Sequence, residues 1–198
     1  MPDFADQSLA EIVASVAARD PTPGAGPSLA WTCALAAALV EMTSAVMLRK
    51  EPDSPAAIEA RRDRAHALRA TALSLADLDA AAYREVLAVQ RRHGEPGLPQ
   101  RLRQALADAA DPLVRIVQTA HEVSELATAA VADARGGIRG EALTALVLAA
   151  SVARGGVSLV ELNLAGDPQD ARRALVREAA TAAADALERA VGPLAPRG

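Results

Sequence analysis

Residues 20–28 read DPTPGAGPS, and they are followed over residues 29–40 by the almost entirely apolar run LAWTCALAAALV. Three prolines remove backbone donors from the first stretch and two glycines permit unusual backbone angles, so this stretch cannot be regular structure. The apolar run instead predicts a helix from about Ser28 to Arg49 that is hydrophobic on nearly every face. Such a helix usually lies at the centre of a bundle, so we expect the rest of the chain to pack around it.

The composition and the preceding segment also indicate helices. The chain has 198 residues, of which 51% are hydrophobic and only 2% are aromatic, so its core must consist largely of Ala, Leu and Val. Ser8 and Glu11 have the spacing of a capping box, which predicts a first helix from Ser8 to about Asp20. No segment alternates between apolar and polar residues as a strand does. We therefore predict one all-α domain over residues 1–198, a bundle of long Ala-rich helices with one apolar central helix.

The remaining segments complete the predicted bundle. Helical periodicity covers residues 58–90, as one bent helix or as two helices joined end to end, and residues 99–133. The consecutive glycines Gly155 and Gly156 are expected to interrupt the next helix, since glycine is a weak helix former. Asp167 and Pro168 have the residue types that are preferred at the N-cap and first position of a last helix.

Several classes of function are disfavoured by the composition. A formal net charge of −4 and few aromatic residues argue against nucleic-acid binding. The apolar run ends at Glu41, short of the roughly 20 residues that span a bilayer, so we expect no membrane segment. Cys33 is the only cysteine and the N-terminus is acidic, which together favour a cytoplasmic location. The three histidines are too far apart in sequence for a paired zinc motif, so no metal site is expected.

The loop before the apolar helix is the best candidate for a ligand site. Glycines directly before a helix let its backbone N–H groups and the positive end of its dipole approach an anion or a polar ligand. The candidate binding residues in this loop are Pro23, Gly24, Gly26 and Ser28. A plain turn between two helices explains the same composition, so both interpretations stay open at this point.

Several short motifs follow one another along the chain. Residues 22–28 read TPGAGPS, and further on Asp79 stands three residues before the pair Ala82-Tyr83. Later positions of the series are Pro112 inside a long helix, Glu141 near the start of another, and Asn163 in the segment LVELNL. In order and spacing this series resembles the cyclodeaminase/cyclohydrolase family, which includes the C-terminal part of formiminotransferase-cyclodeaminase. The family loop reads TPGGGS and Glu141 replaces an aspartate, so this chain resembles a divergent member.

This resemblance implies a reduced folate as the substrate and no cofactor or metal. In the family, either a 5-formimino group is closed onto N10 with loss of ammonia, or a 5,10-methenyl bridge is opened by water. The resemblance implies that Asp79 and Glu141 are the catalytic carboxylates, which move protons and stabilise a cationic amidine. It also implies that Asn163 binds the pterin edge, that Lys50 meets the glutamate tail, and that the protein is a homodimer.

Two other functions are compatible with the same residues. The chain could be a non-catalytic or repurposed helical dimer or ligand-binding module of this fold, or an enzyme acting on another small cyclic amidine or imine. The charged candidates also have structural interpretations, because Glu141 lies in the first turn of a predicted helix and Lys50 at the end of one. The helix dipole favours a negative charge at the first position and a positive charge at the second.

Overall fold

The computed structural model describes residues 7–50 and 52–192, and this part of the chain forms six helices and no strand. The helices are α1 (Leu9–Val16), α2 (Ala25–Leu48), α3 (Pro55–Gln90), α4 (Leu98–Asp133), α5 (Gly137–Asn163) and α6 (Ala171–Val191). The predicted all-α class is confirmed. The acidic N-terminus on which the predicted location partly depends lies outside the described residues.

Helix α1 begins at the predicted capping box. The Ser8 hydroxyl accepts a hydrogen bond from the backbone N–H of Glu11 at 3.3 Å, and the Glu11 carboxylate accepts one from the Ser8 N–H at 2.8 Å. The helix ends at Val16, four residues before the predicted end at Asp20, and buries none of its residues. It therefore leads into the proline-rich loop without itself joining the core.

Helix α2 is the central element predicted from the apolar run, and it packs against α3, α4 and α5. It starts at Ala25, three residues before the predicted start, because Gly24 serves as the N-cap and Pro27 fits the first turn, where a backbone N–H is not needed. Half of the loop that was predicted to be irregular is therefore the first turn of this helix.

Length and composition alone would allow two helices to cross a membrane. They are α2 and α5, and 44% of the apolar window of each is buried within the molecule. The apolar run that ends at Glu41 is thus part of a longer apolar helix. Core helices of soluble proteins pass the same test, since a helix that contacts neighbours on several sides is hydrophobic on several sides.

Helix α5 differs from the prediction because the two consecutive glycines do not interrupt it. It is continuous from Gly137 to Asn163. A Cβ atom at Gly156 would overlap Val117 of α4, and a Cβ at Gly155 would lie 3.0 Å from the Leu29 side chain of α2. The glycines therefore bring three helices close together rather than ending one of them.

The start of the last helix was also predicted wrongly. Helix α6 begins at Ala171, and its N-cap is Asp170, which accepts a hydrogen bond from the Arg172 N–H at 2.9 Å. Asp167 instead accepts a hydrogen bond from the Gln169 N–H at 3.0 Å, within the turn between α5 and α6. Both aspartates have capping geometry, and only the second is followed by a continuous helical pattern.

Candidate active site

A cavity of about 380 Å³ lies where the first turn of α2 meets α3, α4 and the end of α5. Helices α3, α4 and α5 each contribute one face to the cavity, because the lining residues on each helix recur at spacings of three or four. The wall residues from these helices are Asp79, Tyr83, Leu106, Ala109, Leu113, Leu159, Leu162 and Asn163. The loop contributes Pro21, Thr22 and residues 24–27. The site is therefore an apolar pocket with a few polar groups, as small-molecule sites commonly are.

Asp79, which was predicted to be catalytic, is the acidic residue among those that line this pocket, and its role stays a prediction. Only 8% of the residue is exposed, and no other described residue donates a hydrogen bond to it. Burial raises the pKa of its carboxyl group from 3.8 to about 6, because the charged form loses hydration without gaining a partner. A carboxyl group with this pKa can exchange protons near neutral pH, which is the property required of a general acid or base.

Gly26 allows the first turn of α2 to lie directly against Asp79. A Cβ atom at position 26 would overlap all three atoms of the Asp79 carboxylate, so any other residue would displace that group. The turn has no side-chain cap at Gly24, and its first N–H groups have no partner within the helix. A polar ligand in the pocket would therefore meet Asp79 and free backbone donors together.

Ser28 and Pro23, the other two loop residues that were predicted to bind ligand, do not line the cavity. The Ser28 hydroxyl donates a hydrogen bond to the Gly24 carbonyl oxygen at 2.8 Å, so it stabilises the first turn of α2. Pro23 is buried and is not among the residues that line the cavity. Of the four loop residues predicted to bind ligand, Gly24 and Gly26 are thus the two that line the pocket.

Asn163 enters the pocket from the last turn of α5. Its side-chain amide has no hydrogen-bond partner within the described part of the chain, although an amide offers both donors and acceptors. The position is half-buried, so a bound ligand could replace the water around it. Asn163 and Asp79 are the two sequence-predicted side chains that the fold brings into one cavity.

Glu141 and Lys50 are not brought to this pocket within a single chain. Glu141 is exposed near the start of α5, 22 residues before Asn163, which corresponds to roughly 33 Å along a helix. Lys50 is exposed just beyond the C-terminal end of α2, the end opposite Gly26, where it borders a separate cavity of about 570 Å³. Their predicted roles stay predictions, and in the Asp79 pocket they would require a second subunit.

The other residues of the pocket wall were not predicted to be functional. Tyr83 lies one helical turn after Asp79 and therefore faces the same cavity, which the spacing of four residues could have indicated. The leucines of α4 and α5 gave no such signal, because leucines of this spacing are equally typical of a core. Cys33 of α2 is buried and does not line the pocket, and burial raises the pKa of its thiol to about 12.

Comparisons with known proteins agree with this architecture. No curated protein matches the chain. Among solved structures, the chain is similar to formiminotetrahydrofolate cyclodeaminase from Thermotoga maritima, with 23% identity and a TM-score of 0.79 over 94% of this chain and 93% of that one. This likeness shows a common fold. Residues 8–182 match the family model for formiminotransferase-cyclodeaminase, which is most of the sequence. The chain therefore belongs to the formiminotransferase-cyclodeaminase family.

Proposed function

We propose that this protein is a folate one-carbon enzyme that closes the 5-formimino group of tetrahydrofolate onto N10 and releases ammonia. The observation that carries the proposal is the buried carboxyl group of Asp79, which faces an apolar pocket in a chain of this family. The reaction needs proton transfers and stabilisation of a cationic amidine, and a carboxyl group supplies both. The proposed reaction therefore uses no cofactor and no metal.

Asp79 would act at the bridge carbon of the substrate. In the proposed reaction N10 attacks the protonated formimino carbon, and the resulting tetrahedral carbon carries three nitrogens. Asp79 accepts the proton from N10 and donates it to the departing nitrogen, which leaves as ammonia. The product is the 5,10-methenyl cation, and the carboxylate, again without its proton, stabilises this positive charge in a pocket where water screens it little.

The rest of the pocket would hold the flat ring system of the substrate. Tyr83 and the leucines offer apolar surface to the ring faces, and the side-chain amide of Asn163 can bond to the polar edge. The backbone donors at Gly24 and Gly26 suit an oxygen or nitrogen acceptor at the same edge. Orientation by these groups brings N10 and the formimino carbon together, which lowers the barrier to ring closure.

We further propose that the protein is a cytoplasmic homodimer with no nucleic-acid or membrane partner. Leu35 and Met42 occupy one face of α2 and are 57% and 38% exposed, which leaves an apolar face of this central helix uncovered within one chain. A second copy placed against this face would cover them. The formal charge of −4 disfavours association with nucleic acid.

The methenyl chromophore provides the test. We expect the protein to convert 5-formiminotetrahydrofolate into a product with the near-ultraviolet absorbance of 5,10-methenyltetrahydrofolate, with one ammonia released for each molecule formed. A cyclohydrolase would instead remove this absorbance when it is given the methenyl compound. Failure to accelerate either reaction over buffer would contradict the proposed function.

A further inference from the structure

A second cavity of about 340 Å³ adjoins the Asp79 pocket, between α4 and the turn after α5. Three residues line both cavities, Leu106, Leu162 and Asn163. Along α4, Leu106 connects the two cavities, because it lies one helical turn before Ala109 of the pocket and one turn after Arg103 of the second cavity. The two cavities therefore adjoin at these shared residues, and we call them together the groove, with the buried carboxyl group of Asp79 on one side and Arg103 on the other.

Arg103 is available for a ligand. Its guanidinium group makes no ion pair or hydrogen bond with any described residue, and the side chain is exposed. The stem of Arg103 lies over the turn after α5, since a Cβ atom at Gly166 would be 2.9 Å from Arg103 Cδ. This packing holds the side chain at the groove and leaves its charged end without a protein partner.

The other polar groups at this end have partners of their own. Gln104 donates a hydrogen bond to the Asp108 carboxylate at 2.8 Å. The Asp167 carboxylate accepts one from the backbone N–H of Gln169 at 3.0 Å. Asp167 is the one acidic side chain that lines the cavity, and it forms no ion pair with Arg103. Arg103 is therefore the one cationic side chain among the residues that line this cavity, it has no ion-pair partner in the described part of the chain, and an anionic group is its natural ligand.

We propose that Arg103 binds a carboxylate at the glutamate end of a reduced folate. This inference rests on the proposed function, which places the reacting ring at Asp79. A reduced folate carries a benzoyl amide between its ring system and its glutamate. Six residues of helix separate Ala109 from Arg103, about 9 Å, which leaves room for that linker over Leu106. The planar guanidinium can bind a carboxylate through two parallel hydrogen bonds, with the Gln100 amide beside it.

Binding of a stable ligand tests the proposal independently of turnover. The probes are 5-formyltetrahydrofolate and the same compound without its glutamate, each titrated by calorimetry into wild-type protein and Arg103→Gln. We expect the substitution to raise Kd for the glutamate compound about fivefold and to leave Kd for the truncated compound unchanged, because the ion pair is partly exposed to solvent. The fivefold difference should shrink at high salt concentration.

A matched control is Arg101→Gln, which removes the same charge from α4 at a residue that pairs with Glu95. We expect this control to leave both Kd values unchanged, and we expect Arg103→Gln to raise KM for the formimino substrate while kcat stays within about twofold. Equal binding of the glutamate compound by wild type and Arg103→Gln, in a protein that does turn over, would overturn the Arg103 proposal alone. Absence of both binding and turnover would overturn the proposed function and this inference together.

Discussion

At the scale of single residues, Asp79 combines two features that a purely structural carboxylate rarely has. It is nearly buried, and the described part of the chain supplies no hydrogen bond to it. An uncompensated buried carboxylate disfavours folding, whereas a carboxyl group with a pKa near neutrality suits proton transfer. Because Gly26 has no side chain, this carboxyl group can lie directly against the N-terminal end of α2. We therefore expect the residue to matter for catalysis more than for stability.

Replacement of Asp79 by Asn should abolish most of the activity. We expect Asp79→Asn to lower kcat by about 100-fold or more, because an amide cannot exchange the proton between N10 and the leaving nitrogen. In the wild type, the pH dependence should show a group with a pKa of about 6, and this group should be missing from the residual activity of the variant. Asp63→Asn is the matched control, since Asp63 lies on the same helix with its side chain 68% exposed. A variant with wild-type kcat would exclude Asp79 as the catalytic group.

The same substitution should increase stability at neutral pH. The pKa of Asp79 is raised in the folded protein, so between about pH 4 and pH 6 the native state holds a proton that the unfolded state has lost. The stabilising contribution of the protonated group is therefore complete below pH 4 and is lost as the pH rises through 6. Asp79→Asn has no such loss, so we expect its free energy of unfolding to exceed that of the wild type by about 2–3 kcal/mol at pH 7. Urea unfolding at pH 4 and pH 7 checks this, and a gap that does not widen with pH contradicts it.

A methyl group at position 26 should disturb the catalytic carboxylate directly. In Gly26→Ala the new Cβ overlaps the Asp79 carboxylate, which must move away from the end of α2. We expect kcat to fall by about tenfold to 100-fold, since small displacements of a catalytic group have effects of this size. Gly140→Ala is the control, because a Cβ there meets nothing within 4 Å. Steady-state kinetics of the two variants decide the matter, and equal kcat values would show that the contact has no role in the reaction.

The predictability of the site differs from residue to residue for physical reasons. Asp79 and the glycine loop could be predicted because a motif fixes their residue types and spacing. The leucines of the wall could not, because an apolar residue in a pocket and one in a core have the same sequence pattern. Glu141 matched a family position, but no sequence pattern states that nearly the whole of α5 separates it from Asn163. This separation follows from the continuity of α5, which was not predicted because Gly155 and Gly156 were expected to interrupt the helix.

At the scale of elements, the glycine pair of α5 shows why a helix boundary is difficult to predict. Glycine is a weak helix former, so Gly155 and Gly156 suggested an interruption. In the folded chain they lie where α5 crosses α4 and α2, and the close contacts that they permit compensate for the low propensity. By contrast, the ends of α3 and α4 were predicted nearly correctly. Their boundaries are marked by prolines and turns, whose effects are local.

Gly156→Ala should therefore destabilise the protein although it raises helix propensity. The added methyl group overlaps the Val117 side chain, and we expect the free energy of unfolding to fall by about 1–2 kcal/mol. Gly140→Ala, in the same helix and without close neighbours, should instead raise it by about 0.5–1 kcal/mol. Val117→Ala makes room for the methyl group, so the double variant with Gly156→Ala should be more stable than the sum of the single effects. Additive effects in urea unfolding would show that the two side chains do not meet.

At the scale of the whole molecule, the polar chemistry and the exposed apolar surface occupy different places. The Asp79 pocket and the Arg103 groove lie at one end of the bundle, where α2 begins and α5 ends. Leu35 and Met42 lie farther along α2, seven residues apart and thus on one face. A protein that uses α2 both to border its site and to meet a second copy would have its pocket close to, but not within, the dimer contact.

The proposed dimer makes a prediction that Leu35→Glu tests. A charged carboxylate buried at a contact between two copies is unfavourable, so we expect the variant to be a monomer in sedimentation experiments at concentrations where the wild type is a dimer. Helix content should be unchanged, because the Leu35 side chain is exposed within one chain. Leu78→Glu is the control, since Leu78 is 45% exposed on α3 and lies outside the α2 face. A wild-type protein that sediments as a monomer, or a Leu35→Glu dimer, would contradict an interface on α2. If the monomer forms and keeps its activity, the pocket is complete in one chain, whereas loss of activity would mean that a second subunit contributes residues such as Glu141 or Lys50.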